Sequence, residues 1–131
     1  MQHYDLLYPE EMRNRLADLD DERDTFMEET GIDEVGDPTA WDQALGIWET
    51  QQPDGAEWRQ LTDILDEVGD ASELISERHF HVYIRDQLID CGDVPKDFPW
   101  YIEIDWKATA DNCRSDYSEI EIEGHTYLYR D

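Results

Sequence analysis

The side chains best suited to chemistry are two histidines, His79 and His81, and two cysteines, Cys91 and Cys113. On the helical pattern of that stretch, residues two apart turn to different faces. The histidines therefore make a poor metal pair and read as solvated or cap-type. The cysteines match neither a metal spacing nor a redox motif and read as two reduced, partly buried thiols. Asp18, Asp20, Glu22, Asp24 and Glu29 fall on positions 1, 3, 5, 7 and 12 of a calcium loop. Position 6, however, is Arg23, where that loop needs glycine for its sharp turn. Leu19, Phe26 and Met27 also carry a helical stripe straight through the segment. No glycine-rich phosphate loop or nucleophile elbow is present. With 35 carboxylates, some pair will lie at a glycosidase-like separation by chance alone. These residues predict no catalysis, no metal and no cofactor.

What remains is the carboxylates taken together. The 131 residues carry 35 Asp and Glu against 10 Lys and Arg, a formal charge of −25. Self-repulsion on this scale opposes compaction, so apolar burial must offset it. Leu, Ile, Val and Phe make up only 27 residues, near the composition of disordered chains. Five Trp, seven Tyr and three Phe supply the apolar area that acidic tails lack, and predict a folded domain. The opening MQHYDLLYPEE has neither a basic region nor an apolar run, and nothing approaches a membrane span, which points to the cytoplasm. Direct contact with nucleic acid needs Lys and Arg, so the charge favours basic partners instead.

Hydrophobic spacing sets the elements that must hold these acids. Pro9 opens a helix whose face is Met12, Leu16, Leu19, Phe26 and Met27, with Gly31 as its stop. Asp37-Pro38 caps a second helix with a Trp41, Leu45, Trp48 stripe. Pro53-Asp54-Gly55 reads as a turn before a third helix, carrying Trp58, Leu61, Ile64, Leu65 and Val68 and closed by Gly69. Leu74 and Ile75 read as a connection. A fourth helix follows from about Ser76 to Ile89, with Phe80, Tyr83, Ile84 and Leu88 inward. Beyond it, Tyr101 to Ile104 reads as a short strand, and Asp105 caps a short helix with Trp106 and Ala110. Ile120, Ile122 and Thr126 to Tyr129 form a hairpin around Glu123-Gly124. The predicted class is α+β: a mainly helical acidic region over residues 1–75, about four helices in all, then a small α/β region over 76–131 that ends in the hairpin.

The first region holds 22 acids and 4 bases, the second 13 and 6. Asp18, Asp20, Asp21, Glu22, Asp24, Glu28 and Glu29 line the first helix, with Asp33 and Glu34 just after it. Asp63, Asp66, Glu67, Asp70, Glu73 and Glu77 recur at three- and four-residue intervals, with Gly69 interrupting the helix between them. DNA carries one phosphate per about 3.4 Å of axis on each strand. Rows of carboxylates on rigid helices can therefore resemble a strand's phosphates to a basic groove. Two plainer readings compete. Charge runs are usually solvated helix faces, and two lysines against eight arginines, with abundant Asp, is also how proteins of salt-rich cytoplasm look.

The last third resembles the ArdA-type antirestriction proteins of phages and mobile elements. The residues carrying this are Tyr101-Ile102, the run Ile104 to Asn112, Asp116-Tyr117 and Gly124 to Tyr127. In that family a segment Tyr-Ile-Asp-(Tyr or Trp)-x-Ala-x-Ala-Arg-Asp follows a helix and a proline-containing loop and precedes a terminal strand pair. Here Asp111 stands where the family has Arg, and Glu103-Ile104 shifts the spacing. Residues 58–131 look like the family's middle and last parts, while residues 1–57 share only acidic, helical character. The resemblance implies a DNA mimic in the groove of a type I restriction–modification enzyme, and a homodimer paired through the C-terminal part. It makes Tyr101, Trp106, Tyr117 and Tyr127 core or dimer-interface residues. The expected function is thus inhibition of a host defence system by DNA mimicry. An anti-CRISPR mimic in an effector's DNA channel, and an acidic interaction protein of a salt-adapted organism, stand as alternatives.

Overall fold

A computed structural model describes residues 5–130; residues 1–4 of the opening stretch lie outside the described residues. The chain forms two compact units, Pro9–Gly69 and the described residues on either side of it. The division falls at Gly69 rather than at residue 75 because Leu74–Ser76 is a strand of the second unit's sheet.

Three helices make the first unit: α1 (Pro9–Thr30), α2 (Pro38–Gln51) and α3 (Pro53–Val68). The expected boundaries of α1 and α2 hold. Asp37 accepts from the Ala40 N–H at 3.2 Å, and Pro38 takes the first position, where its missing N–H has no intrahelical partner to lose. Pro53-Asp54-Gly55 is not a separate turn but the first turn of α3, for the same reason: proline opens a helix as readily as it opens a turn. Met12, Leu19, Met27, Ala44, Trp48, Leu61, Ile64 and Val68 are buried. The Trp48 and Trp58 rings meet edge to face, 6.0 Å between centroids. The residues with calcium-loop spacing, Asp18 to Glu29, lie inside α1, which runs unbroken through them.

The second unit is a four-stranded antiparallel sheet in the order β1 (Leu6–Leu7), β2 (Leu74–Ser76), β4 (His125–Tyr129), β3 (Ser118–Ile122). A 3₁₀ turn leads from β2 into α4 (Phe80–Asp90), and α5 (Trp106–Cys113) is capped by Asp105, which accepts from the Ala108 N–H at 3.0 Å. Ile75 and Leu128, paired across β2 and β4, meet Phe80, Ile84 and Ala110 in one buried cluster. By strand alternation Leu74, Ile120, Ile122, Tyr127 and Tyr129 belong to the opposite face, and all are buried. The hairpin turns through Glu123 and Gly124, with φ of 50° and 82°. Two positive values in succession are what a two-residue turn needs to match strand twist.

Two expectations fail here. Leu74 and Ile75 pair with β1 and β4 and are not a bare connection. Tyr101 to Ile104 is not a strand: the segment finds no strand to pair with, and Tyr101 and Ile102 are exposed. Among the described residues, no helix is long and apolar enough to cross a membrane.

Candidate protein-binding surface

At 22 residues α1 is about 33 Å long, and its two sides differ sharply. Met12, Leu16, Leu19, Arg23, Phe26 and Met27 are buried or half-buried on one side. Counted at about 100° per residue, Glu11, Asp18, Glu22 and Glu29 form one row on the outer side. Glu10, Asp21, Asp24 and Glu28 form a second. All eight are exposed. Neighbours three or four apart within a row sit about 5–6 Å from one another. Asp33 and Glu34 after α1, and Asp63, Asp66 and Glu67 on α3, are exposed as well.

The cations of this unit explain why the rows stay negative. It holds 19 acids, four arginines and no lysine. Arg15 of α1 grips Glu57 of α3 with both arms, Nε to Oε1 at 2.9 Å and Nη2 to Oε2 at 3.0 Å. That contact lowers the Glu57 pKa and raises that of Arg15. Arg13 donates to the Gly69 carbonyl at 3.0 Å. Arg23 lies 3.7 Å from Asp20 and 5.2 Å from the centre of the Trp58 ring. Three of the four cations are therefore spent tying α1 to α3 and its end, and none of these ties takes an acid from the outer rows. Arg59, exposed one turn before Asp63, is the fourth.

Four of the carboxylates assigned to the surface sit differently. Asp20 turns inward and accepts from the Trp58 indole N–H at 2.7 Å. Gly69 ends α3, so Asp70, Glu73 and Glu77 belong to the sheet unit and do not continue the row of Asp63, Asp66 and Glu67. Glu73 accepts from the Tyr83 hydroxyl at 2.5 Å, which in turn accepts from Gln87 at 3.2 Å. Burial first, then the Glu73 bond, pushes the Tyr83 pKa upward. Glu77 shares Arg114 with Glu119, at 3.2 and 2.7 Å. Glu10 and Glu11 join the outer rows unanticipated; their seven- and eleven-residue spacing to Asp18 and Asp21 was the available signal.

The aromatic residues implied by the resemblance divide. Tyr127 is core, Tyr117 packs edge-on against Phe80 at 5.0 Å, and Trp106 is half-buried. Tyr101 is 69 % exposed. Cys91 is exposed rather than partly buried, because it follows the last turn of α4. His79 lies 3.8 Å from Asp5. Among the described residues no group of three or more His, Cys, Asp or Glu is placed to hold a metal ion. A small α+β protein with one outward-acidic helical unit is the class these features define. No family model, curated protein or solved structure matches the chain.

Proposed function

We propose that the chain is a cytoplasmic, non-catalytic DNA mimic that inhibits a host defence enzyme by occupying its DNA-binding groove. The observation that carries this reading is the outer side of α1, where eight exposed acids stand in two rows while three of the unit's four arginines bond to groups outside those rows. A rigid helix keeps the spacing of such charges fixed, so their combined field is presented without a backbone ordering cost at binding. A groove built to neutralise phosphates would neutralise these carboxylates in the same way and release the counterions held around them, as it does on DNA. The target class, a type I restriction–modification enzyme, rests on the resemblance of residues 101–127 alone. The DNA channel of a CRISPR effector complex offers the same chemistry.

The test is a binding titration against a type I restriction enzyme and a CRISPR surveillance complex, with and without competing duplex DNA. The expected result is tight binding to one of them, displaced by duplex and weakening steeply between about 50 and about 200 mM salt. Binding indifferent to salt and to DNA would refute mimicry. Folding tested at low salt separates salt adaptation: a salt-dependent fold would unfold there, whereas the mimic stays folded.

A further inference from the structure

The loop between α4 and α5 presents an aromatic pair at the tip of a closed turn. The Ile102 N–H donates to the Pro99 carbonyl at 2.9 Å. Trp100 at the tip is 92 % exposed, Tyr101 69 % and Ile102 44 %. The two rings meet edge to face, 5.8 Å between centroids and 87° between planes. Single exposed apolar residues are ordinary, but three in succession on a hydrogen-bonded turn form a patch of the kind that marks an interaction site. Trp and Tyr are also the side chains that most often anchor an interface. Their mutual packing holds them in place before a partner arrives, which lowers the ordering cost of binding.

The surroundings favour one occupant. Asp97, Glu103 and Asp105 flank the turn, all exposed, against the single Lys96. A second copy docking here would bring two such acid sets together, between molecules of charge −25 each. A cationic surface gains from the same acids. We propose that the Pro99–Ile102 turn is a docking anchor that inserts Trp100 and Tyr101 into an apolar pocket with a basic rim, on the same defence enzyme that the acidic rows engage. This inference rests on the function proposed above and adds to it an apolar contribution from the two rings.

The experiment compares the full chain with its Trp100→Ala/Tyr101→Ala variant against the type I restriction enzyme and the CRISPR surveillance complex, across the same salt range. Circular dichroism checks that the variant is folded, and sedimentation gives the oligomeric state. On the enzyme that the unaltered chain binds, the variant should bind about 30-fold more weakly, with the slope of affinity against salt unchanged. Binding within about twofold of the unaltered chain, or a changed salt slope, overturns the anchor and leaves the mimic reading standing. A dimer that the variant converts to monomer places a second copy on the patch and also overturns it. An unaltered chain that binds neither enzyme removes both readings together.

Discussion

The helical unit and the sheet unit use their few cations differently. In Pro9–Gly69 three of the four arginines tie α1 to α3 and its end, and none of these bonds goes to an acid of the outer rows. In the sheet unit, Arg114 is clasped by Glu77 and Glu119, Arg78 lies 3.4 Å from Asp5, and Glu73 is satisfied by a tyrosine. These four acids are drawn into local bonds. A surface's charge is thus set as much by where the rare bases are committed as by how many acids it bears. That difference is what makes the helical unit the candidate mimic.

The most severe challenge to this contrast is charge reversal confined to α1. Changing Asp18, Asp21, Glu22, Glu28 and Glu29 together to lysine should weaken inhibition by more than about a hundredfold, since each reversed contact faces a like charge. Melting and circular dichroism should show the fold intact, because none of these five reaches the buried side. The lone change Asp66→Lys should have little effect, the field being collective. Equal potency of the five-residue variant, measured by restriction protection, would end the distinction between the two units.

Next in size is a change that attacks the helical unit's construction. A Cβ on Gly55 would lie 1.7 Å from the Trp48 carbonyl oxygen and 2.7 Å from the Glu49 Cα, both backbone. Neither can swing aside, so Gly55→Ala must prise α2 from α3. We expect a loss of about 3 kcal/mol in urea unfolding. A loss below about 1 kcal/mol would mean that the corner relaxes freely.

Gly55 also shows where sequence reading stops. Pro53-Asp54-Gly55 has the composition of a turn, and only the close approach of α2 reveals why glycine stands inside a helix. Patterns enforced locally were legible: the α1 stripe, the Asp37 and Asp105 caps, and the Glu123-Gly124 hairpin all follow from neighbours in sequence. β1 and β2 were not, since strands of two and three residues carry no alternation and exist through pairing with strands distant in sequence, β1 with β2 and β2 with β4. Of the candidate surface, the outward acids of α1 were readable from helical spacing. Asp20, Glu73 and Glu77 were not separable from them, because their partners Trp58, Tyr83 and Arg114 are remote in sequence or on another element.

In the sheet unit the corresponding probe is Tyr83→Phe, which strips Glu73 of its donor and Gln87 of its acceptor. At neutral pH the cost should be about 1–2 kcal/mol. The pH dependence follows from the raised Tyr83 pKa, caused by burial and then by the Glu73 bond. A group whose folded pKa lies above its unfolded value of about 10 gives its full stabilisation below that pH, and loses it as pH climbs through the folded value. The unaltered protein should therefore lose stability on the alkaline side, with Tyr117 and Tyr127, also raised by burial, contributing. Tyr83→Phe should shallow that decline above about pH 10. Identical alkaline slopes for both proteins would show that the hydroxyl is not held as described.

The smallest effect separates stiffness from charge in the helical unit. Gly46 lies inside α2, and a Cβ there would meet nothing within 4 Å. Gly46→Ala should raise stability by about 0.5–1 kcal/mol, because alanine has less backbone freedom to lose on folding. The Thr50 hydroxyl, which donates to the Gly46 carbonyl at 2.7 Å, is left in place. If the acidic rows of α1 act through their field, affinity for the target should not move while the melting temperature rises. A parallel gain in affinity would assign part of the binding energy to rigidity of the unit, and the contrast between the two units would then be one of order as well as of charge.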